Sequence, residues 1–260
     1  MPGPINHVRE IVDRLGQHPS VTAVALAGSR AASSNDPASD FDLYIYVTAE
    51  VPVEFRRALA GPGAEIDNRF WEPGDEWIDA TSGAHLDVMY RSPAWIEDQL
   101  DRVLVRHQAS IGYSTCFWHN VLHSDALFDP HGWYRQLQER ARVPYPEGLE
   151  RAIVAKNLPI LRKNQSSYRT QIEKAISRRD AVSVQHRTTA VLASYFDIWF
   201  ALARQPHPGE KRLLQYLPEP EATLVRAVID APPDQLMSRL DTLLDTLESA
   251  VDNSPAFRKP

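Results

Sequence analysis

The segment 40–47, which reads Asp-Phe-Asp-Leu-Tyr-Ile-Tyr-Val, constrains the fold more than any other part of the chain. Acidic or aromatic side chains alternate with apolar ones, and a period of two residues is typical of a β-strand with one buried face. Such a strand carries Asp40 and Asp42 on the same side, with about 6.5 Å between their backbone positions. Two carboxylates at that separation repel each other, so the pattern predicts a cation between them.

Two other segments extend this pattern. The apolar residues 21–27 predict a buried strand, and Gly28-Ser29 directly after them predicts a turn that places backbone N–H groups where a phosphate could bind. Further along, residues 85–90 read His-Leu-Asp-Val-Met-Tyr and predict another strand, which carries Asp87. We expect this strand to bring a third carboxylate to the first two.

The order Gly-Ser, a short spacer and Asp-x-Asp in an apolar strand resembles the signature of the nucleotidyltransferase superfamily related to DNA polymerase beta, which includes the aminoglycoside and lincosamide nucleotidyltransferases. The resemblance implies that Gly28 and Ser29 bind the triphosphate of a nucleotide such as ATP. It also implies that Asp40, Asp42 and Asp87 are catalytic and hold Mg²⁺, with two ions expected. As the third ligand, next to the acceptor, the Asp87 carboxylate could also take up the acceptor proton.

Further binding residues are expected outside this signature. The resemblance to aminoglycoside enzymes implies that Lys211, in the helical half of the chain, approaches the terminal phosphates; a solvated surface lysine is the alternative. The turn at 71–77 combines acidic side chains with two indoles, which can hold an amine-bearing ring by ion pairing and cation–π contact. We therefore predict that Glu72 and Asp75 bind the acceptor, with a hydrated hairpin as the alternative.

Composition and charge limit the partners. The chain has 260 residues, of which 43% are hydrophobic and 24% charged, as is typical of a soluble protein with a substantial core. The net charge of -6 and the pI of about 5.8 argue against long nucleic acids and suit a small cationic acceptor. The single cysteine, Cys116, excludes an internal disulfide. Because no signal peptide or spanning segment is evident, we expect a cytoplasmic protein, either a monomer or a homodimer.

The predicted fold is α+β, with a nucleotidyltransferase-type mixed sheet and helices over residues 1–145 and an α-helical bundle over 146–260. The proline- and glycine-containing segment 143–148 marks the boundary. In the first domain, we predict a strand over 64–71, a turn at 73–75 and a helix over 117–127. In the second, apolar residues recur at helical spacing and end in a stripe formed by Leu236, Leu240, Leu243, Leu244, Leu247 and Val251.

These patterns favour a Mg²⁺-dependent enzyme that moves a nucleoside monophosphate, AMP from ATP by preference, onto a hydroxyl of a small acceptor such as an aminoglycoside or lincosamide antibiotic. Two alternatives stay open. One is an antitoxin that transfers AMP to a partner protein, and the other is a nucleotide-binding sensor without catalytic activity. The sequence leaves the base and the acceptor undetermined.

Overall fold

The computed structural model describes residues 4–28, 40–70 and 72–257. The chain divides into two compact units, one formed by Met1–Leu100 and Asn120–Val143, the other by Asp101–His119 and Pro144–Pro260. The first unit holds a β-sheet with its helices, and the second is helical, as the α+β prediction requires. The chain passes from the first unit to the second for the last time between Val143 and Pro144, and we predicted a domain boundary at 145. The segment 101–119 belongs to the helical unit.

Six strands form one mixed sheet in the order β3-β4-β5-β2-β1-β6. Only the central pair, β2 and β5, runs parallel among the five described pairings. The strands are β1 (Val21–Ala27), β2 (Phe41–Val47), β3 (Glu65–Asn68), β4 (Gly74–Ile78), β5 (His85–Arg91) and β6 (Asp125–Phe128).

The alternation in β2 divides the sheet into two chemically different faces. On one face, side chains such as Phe41, Leu43 and Leu86 are fully buried in an apolar cluster. Helix α1 (Pro4–Gly16) contributes its own apolar stripe to this cluster, formed by Val8, Ile11, Val12 and Leu15. The opposite face is left to the acidic and aromatic residues of the same strands.

Three more helices of the first unit connect or follow the strands. These are α2 (Val53–Ala60), α3 (Pro93–Leu104) and α4 (Cys116–His123), and α3 and α4 each continue into the second unit. Ser92 caps α3, because its Oγ accepts a hydrogen bond of 3.2 Å from the Trp95 N–H. A further helix, α5 (Trp133–Ala141), follows β6.

Three predicted boundaries in this unit are wrong. The helix expected over 117–127 ends at His123, and Asp125–Phe128 forms β6, which pairs with the edge of β1. Residues 74 and 75, expected in a turn, begin β4, and the strand expected over 64–71 is confined to Glu65–Asn68. Each error concerns a segment of four or five residues, in which neighbouring strands decide the structure and local periodicity does not.

The second unit is a helical bundle around a single apolar cluster. Its helices are α6 (Glu147–Leu158), α7 (Tyr168–Ser177), α8 (Ala181–Leu202), α9 (Glu219–Ile229) and α10 (Pro233–Asn253), with a π-turn at Pro159–Lys163 and a 3-10 turn at Leu213–Gln215. The predicted stripe of α10 is buried in full. Within the described ranges, no helix combines the length and apolar character that crossing a membrane requires.

A buried polar network ties the segment 101–119 to the bundle. Asp197 of α8 is 1% exposed and accepts hydrogen bonds from the backbone N–H and the Oγ of Ser114, at 2.8 and 2.6 Å. Asn157 of α6 donates to the same carboxylate at 3.2 Å and accepts from the backbone N–H of Gly112 at 3.0 Å. Because buried polar groups are costly without partners, this network specifies how the segment packs.

The buried carboxyl of Asp197 makes stability depend on pH. Burial raises its pKa from 3.8 to about 6, although hydrogen bonds from Ser114 and Asn157 lower it in part. The folded protein therefore holds this proton more tightly than the unfolded chain, and the resulting stabilisation is present below about pH 4 and lost as the pH rises to about 6.

We expect the unfolding free energy of the native protein to decrease, relative to that of Asp197→Asn, as the pH rises from about 4 to about 6. The decrease should reach up to about 3 kcal/mol, because a difference of one in pKa corresponds to about 1.4 kcal/mol. Urea denaturation of both proteins across this range measures the difference. A difference that stays constant with pH would contradict the assignment.

Candidate active site

Four carboxylates follow one another across the polar face of the sheet. Asp42 of β2 is the register partner of Asp87 in β5, Asp87 is the partner of Glu76 in β4, and Glu76 is the partner of Glu65 in β3. Register partners project from the same face, and neighbouring strands are about 4.8 Å apart. We refer to Asp42, Asp87, Glu76 and Glu65 as the acidic row.

His85 of β5 lies between two carboxylates beside this row. Its Nδ1 is 2.8 Å from Oδ1 of Asp40, and its Nε2 is 2.8 Å from Oε1 of Glu76. Burial lowers the pKa of His85, but hydrogen bonding and charge from Glu76 and Asp40 outweigh it and raise the pKa above its usual value. His85 therefore links Asp40 to Glu76 of the acidic row.

Gly28 lies directly against the acidic row. Its backbone φ is +71°, a conformation that residues with a side chain rarely adopt. A Cβ at this position would also overlap Oδ2 of Asp42. Glycine is therefore required where the turn after β1 meets this carboxylate. Ser29, the other predicted triphosphate ligand, lies outside the described residues.

The profile of the Nucleotidyltransferase domain family matches residues 5–104, which include α1, β1 to β5 and every aspartate of the predicted signature. The chain carries a nucleotidyltransferase domain. Nucleotidyl transfer is therefore its general activity, and the protein is a transferase. The predicted superfamily is confirmed at this level, whereas the donor and the acceptor are not determined by the match.

Structural and sequence comparisons add little to this assignment. A nucleotidyltransferase-like protein from Exiguobacterium sibiricum is similar in structure, with 12% sequence identity and a TM-score of 0.49. The similarity covers 98% of this chain and 78% of that protein. No functionally curated protein matches the sequence significantly.

On the polar face of the nucleotidyltransferase domain, an aromatic and cationic cluster lies farther along the strands than the acidic row. The guanidinium of Arg91 lies 4.1 Å from the ring centroid of Tyr44 and donates hydrogen bonds of 2.7 and 2.8 Å to the two carboxylate oxygens of Glu72. Burial raises the pKa of Tyr44 to about 12, although Arg91 opposes the increase. Tyr44 therefore stays a neutral phenol at physiological pH.

These contacts give Glu72 a structural role, and its predicted contact with the acceptor stays a prediction. Both of its oxygens are bound by Arg91, whose side chain is only 5% exposed. Such a two-pronged pair with a buried arginine is among the strongest side-chain interactions, so it fixes the position of Glu72. Glu72 is therefore assigned to the support of the Tyr44 and Arg91 cluster.

Asp75 is also a structural residue and does not face the acidic row. It precedes Glu76 in β4 and so projects from the opposite face of the sheet, where it is 2% exposed. Its Oδ1 accepts from Nη1 of Arg56 at 2.5 Å and from the backbone N–H of Asp67 at 2.9 Å, and its Oδ2 accepts from the Tyr90 hydroxyl at 2.9 Å. The side chain of β4 that does face the row is Glu76.

Lys211 belongs to the helical unit, where it is exposed in the turn before Leu213–Gln215. Its proposed contact with phosphates stays a prediction.

Glu76 and His85 are site residues that were not predicted from the sequence. Glu76 belongs to the acidic segment 71–77, but only the antiparallel register of β4 and β5 aligns it with Asp87.

The neighbours Asp75 and Glu76 provide a matched test of these assignments. We expect Asp75→Asn to lower the unfolding free energy by about 3–5 kcal/mol, because Arg56 loses the partner of its buried charge. Glu76→Gln changes a half-exposed residue and should alter this energy by less than about 1 kcal/mol. Urea unfolding measures both effects, and equal destabilisation would contradict the placement of the two side chains on opposite faces.

Proposed function

We propose that the protein is a Mg²⁺-dependent nucleotidyltransferase that transfers AMP from ATP to a hydroxyl of a small acceptor. The observation that supports this best is the register of the two parallel strands, which brings Asp42 and Asp87 side by side on a half-exposed face. Both lie within the matched domain, and Gly28 touches the same carboxylate.

Asp42 and Asp87 are proposed to hold magnesium, with Asp40 completing the set. Their oxygens have the chemistry that Mg²⁺ prefers, and Mg²⁺ commonly takes only one or two carboxylates together with substrate phosphates. In the described parts of the chain, no group of three or more His, Cys, Asp or Glu side chains is placed so that it could hold a metal ion by itself, so substrate phosphates are proposed to supply the remaining ligands. When bound, the metal would stabilise the negative charge that develops around the α-phosphorus.

The turn after β1 is proposed to receive the triphosphate. Because Gly28 has no side chain, the backbone can approach both Asp42 and a bound phosphate closely. Ser29 is proposed to act with it, and Lys211 from the helical unit to contact the terminal phosphates. Asp87 is proposed to accept the proton of the attacking hydroxyl, since it lies between Asp42 and Glu76 in the acidic row.

The acceptor is proposed to be an amine-bearing molecule of the aminoglycoside or lincosamide class. Glu76 and Glu65 extend the negative charge of the row away from the aspartates, toward the edge strand β3. A cationic acceptor could lie along these carboxylates while it presents a hydroxyl near Asp87. Glu76 thereby takes the role that the sequence analysis gave to Glu72 and Asp75.

We expect Asp42→Asn to reduce Mg²⁺-dependent transfer at least about 100-fold, because metal stabilisation of the transferred phosphoryl group is worth several kcal/mol. Release of pyrophosphate from ATP in the presence of acceptor measures the effect. Glu54→Gln, which changes an exposed acid of α2, serves as the control and should retain full activity. Unchanged transfer by Asp42→Asn would exclude the metal assignment.

A panel of aminoglycosides and lincosamides, incubated with radiolabelled ATP and Mg²⁺, tests the acceptor class. We expect labelled product with at least one amine-bearing acceptor and no labelled product in reactions that contain EDTA from the start. Glu76→Gln should raise the KM for that acceptor by about tenfold, the value of one charged hydrogen bond, with little change for ATP. If no member of the panel accepts the nucleotide, the antibiotic proposal fails while the transfer chemistry can still be tested with other acceptors.

A further inference from the structure

A cavity of about 320 Å³ opens on the side of the sheet that faces away from the acidic row. It lies beyond the carboxyl ends of the parallel strands β2 and β5, where Val47 and Tyr90 border it. Both residues alternate with those of the acidic face and therefore project from the opposite one. The volume is at the lower end of the range for small-molecule sites.

Arg56 lines this cavity and is fixed in position from behind. Its side chain is only 4% exposed, its Nε donates a hydrogen bond of 3.0 Å to the carbonyl of Val51, and its Nη1 binds Asp75. The guanidinium also lies 5.0 Å from the ring centroid of Tyr90. Its Nη2 group lies on the cavity side, 3.5 Å from Oδ1 of Asp67.

Arg69 supplies a second guanidinium at the mouth of the cavity. Its Nε and Nη2 bind Oδ1 of Asp67 at 3.1 and 2.9 Å, and its side chain is 59% exposed. Asp67 has a φ of 67°, an uncommon conformation for a residue other than glycine, and its backbone N–H is bound by the buried Asp75. The strained backbone of β3 thus orients Asp67, which in turn orients Arg69.

An exposed carboxylate of the chain occupies the space between the two guanidiniums. Oε1 of Glu50 lies 3.7 Å from Nη2 of Arg56 and 3.6 Å from Nη2 of Arg69, and the Glu50 side chain is 69% exposed. These distances are longer than a normal N–H···O hydrogen bond. Both guanidiniums thus face carboxylate oxygens here: Asp67 lies 3.5 Å from Nη2 of Arg56 and 2.9 Å from Nη2 of Arg69, whereas the exposed Glu50 is the more distant and more weakly held of the two acids.

We propose that this cavity is a second ligand site, which binds a small molecule through a carboxylate or phosphate group placed between Arg56 and Arg69. The ligand's oxyanion replaces the carboxylate of Glu50, and its remaining atoms lie along Tyr90 and the end of β2. Paired guanidiniums match the geometry of both oxyanions. The site is separate from the acidic row and does not depend on the acceptor or nucleotide proposed above.

Isothermal titration of the full chain with inorganic phosphate and, separately, with malonate tests this site and distinguishes the two oxyanions. EDTA is present throughout, so that metal-dependent binding at the acidic row does not contribute. We expect saturable binding of at least one probe, about tenfold weaker or worse in Arg69→Gln, which removes an exposed donor that the fold does not require. Glu50→Gln should strengthen binding by up to about fivefold, because the competing carboxylate loses its charge.

Arg57→Gln is the matched control, because it removes the same charge from an exposed position of α2 next to Arg56. It should leave the affinity unchanged, as should Asp42→Asn. Absence of saturable binding in both the native protein and Glu50→Gln would overturn the proposal. So would equal weakening by Arg57→Gln and Arg69→Gln, or binding that is lost in Asp42→Asn and kept in Arg69→Gln.

Discussion

The parallel pairing of β2 with β5 is the constraint on which the rest of the first unit depends. Its register sets Asp42 beside Asp87, so that two negative charges share one face of the sheet. At about 5 Å, such charges repel by about 1 kcal/mol in water and by about 3 kcal/mol at the effective dielectric of a protein surface. The fold tolerates this because the same pairing buries Phe41, Leu43, Leu86 and Val88 on the other face.

The neighbourhood of the acidic row offsets its charge without neutralising it. His85 bridges Asp40 and Glu76, and its raised pKa reflects the surrounding carboxylates. Arg91 is kept apart from the row by its paired contact with Glu72 and its stacking on Tyr44. The negative potential therefore stays concentrated at the half-exposed end of the face, where a metal and its nucleotide would be attracted.

The opposite face uses ionic groups for a different purpose. Arg56 and Asp75 form a buried ion pair whose further hydrogen bonds reach Val51, Asp67 and Tyr90. A buried charge requires such a set of partners, because desolvation alone would be prohibitive. The same arrangement that joins α2 to β3, β4 and β5 leaves one end of Arg56 at a cavity. Asp75 and Glu76 are thus adjacent in one strand but have different roles. Asp75 stabilises the fold on one face of the sheet, and Glu76 belongs to the proposed active site on the other.

The sequence by itself determined the features that depend on local order. Period-two alternation predicted β2 with Asp42, and helical periodicity predicted the bundle with its buried α10 stripe. The motif that runs from Gly28 to Asp42 resembles the superfamily signature, and the family match agrees with that resemblance. Asp87, predicted as the third carboxylate, is the register partner of Asp42, and its role as a metal ligand stays a prediction. These signals are strong because each is carried by residues close together in the chain.

Only the tertiary structure decided which distant residues meet. The short segment 125–128 became a strand because the edge of β1 was available, and the acidic turn at 72–76 was split between two faces once β4 paired with β5. Register determined that Glu76 lies beside Asp87 while Asp75 is buried against Arg56. A shift of one residue would exchange these two faces, and that choice rests on the packing of whole strands, which no local pattern contains.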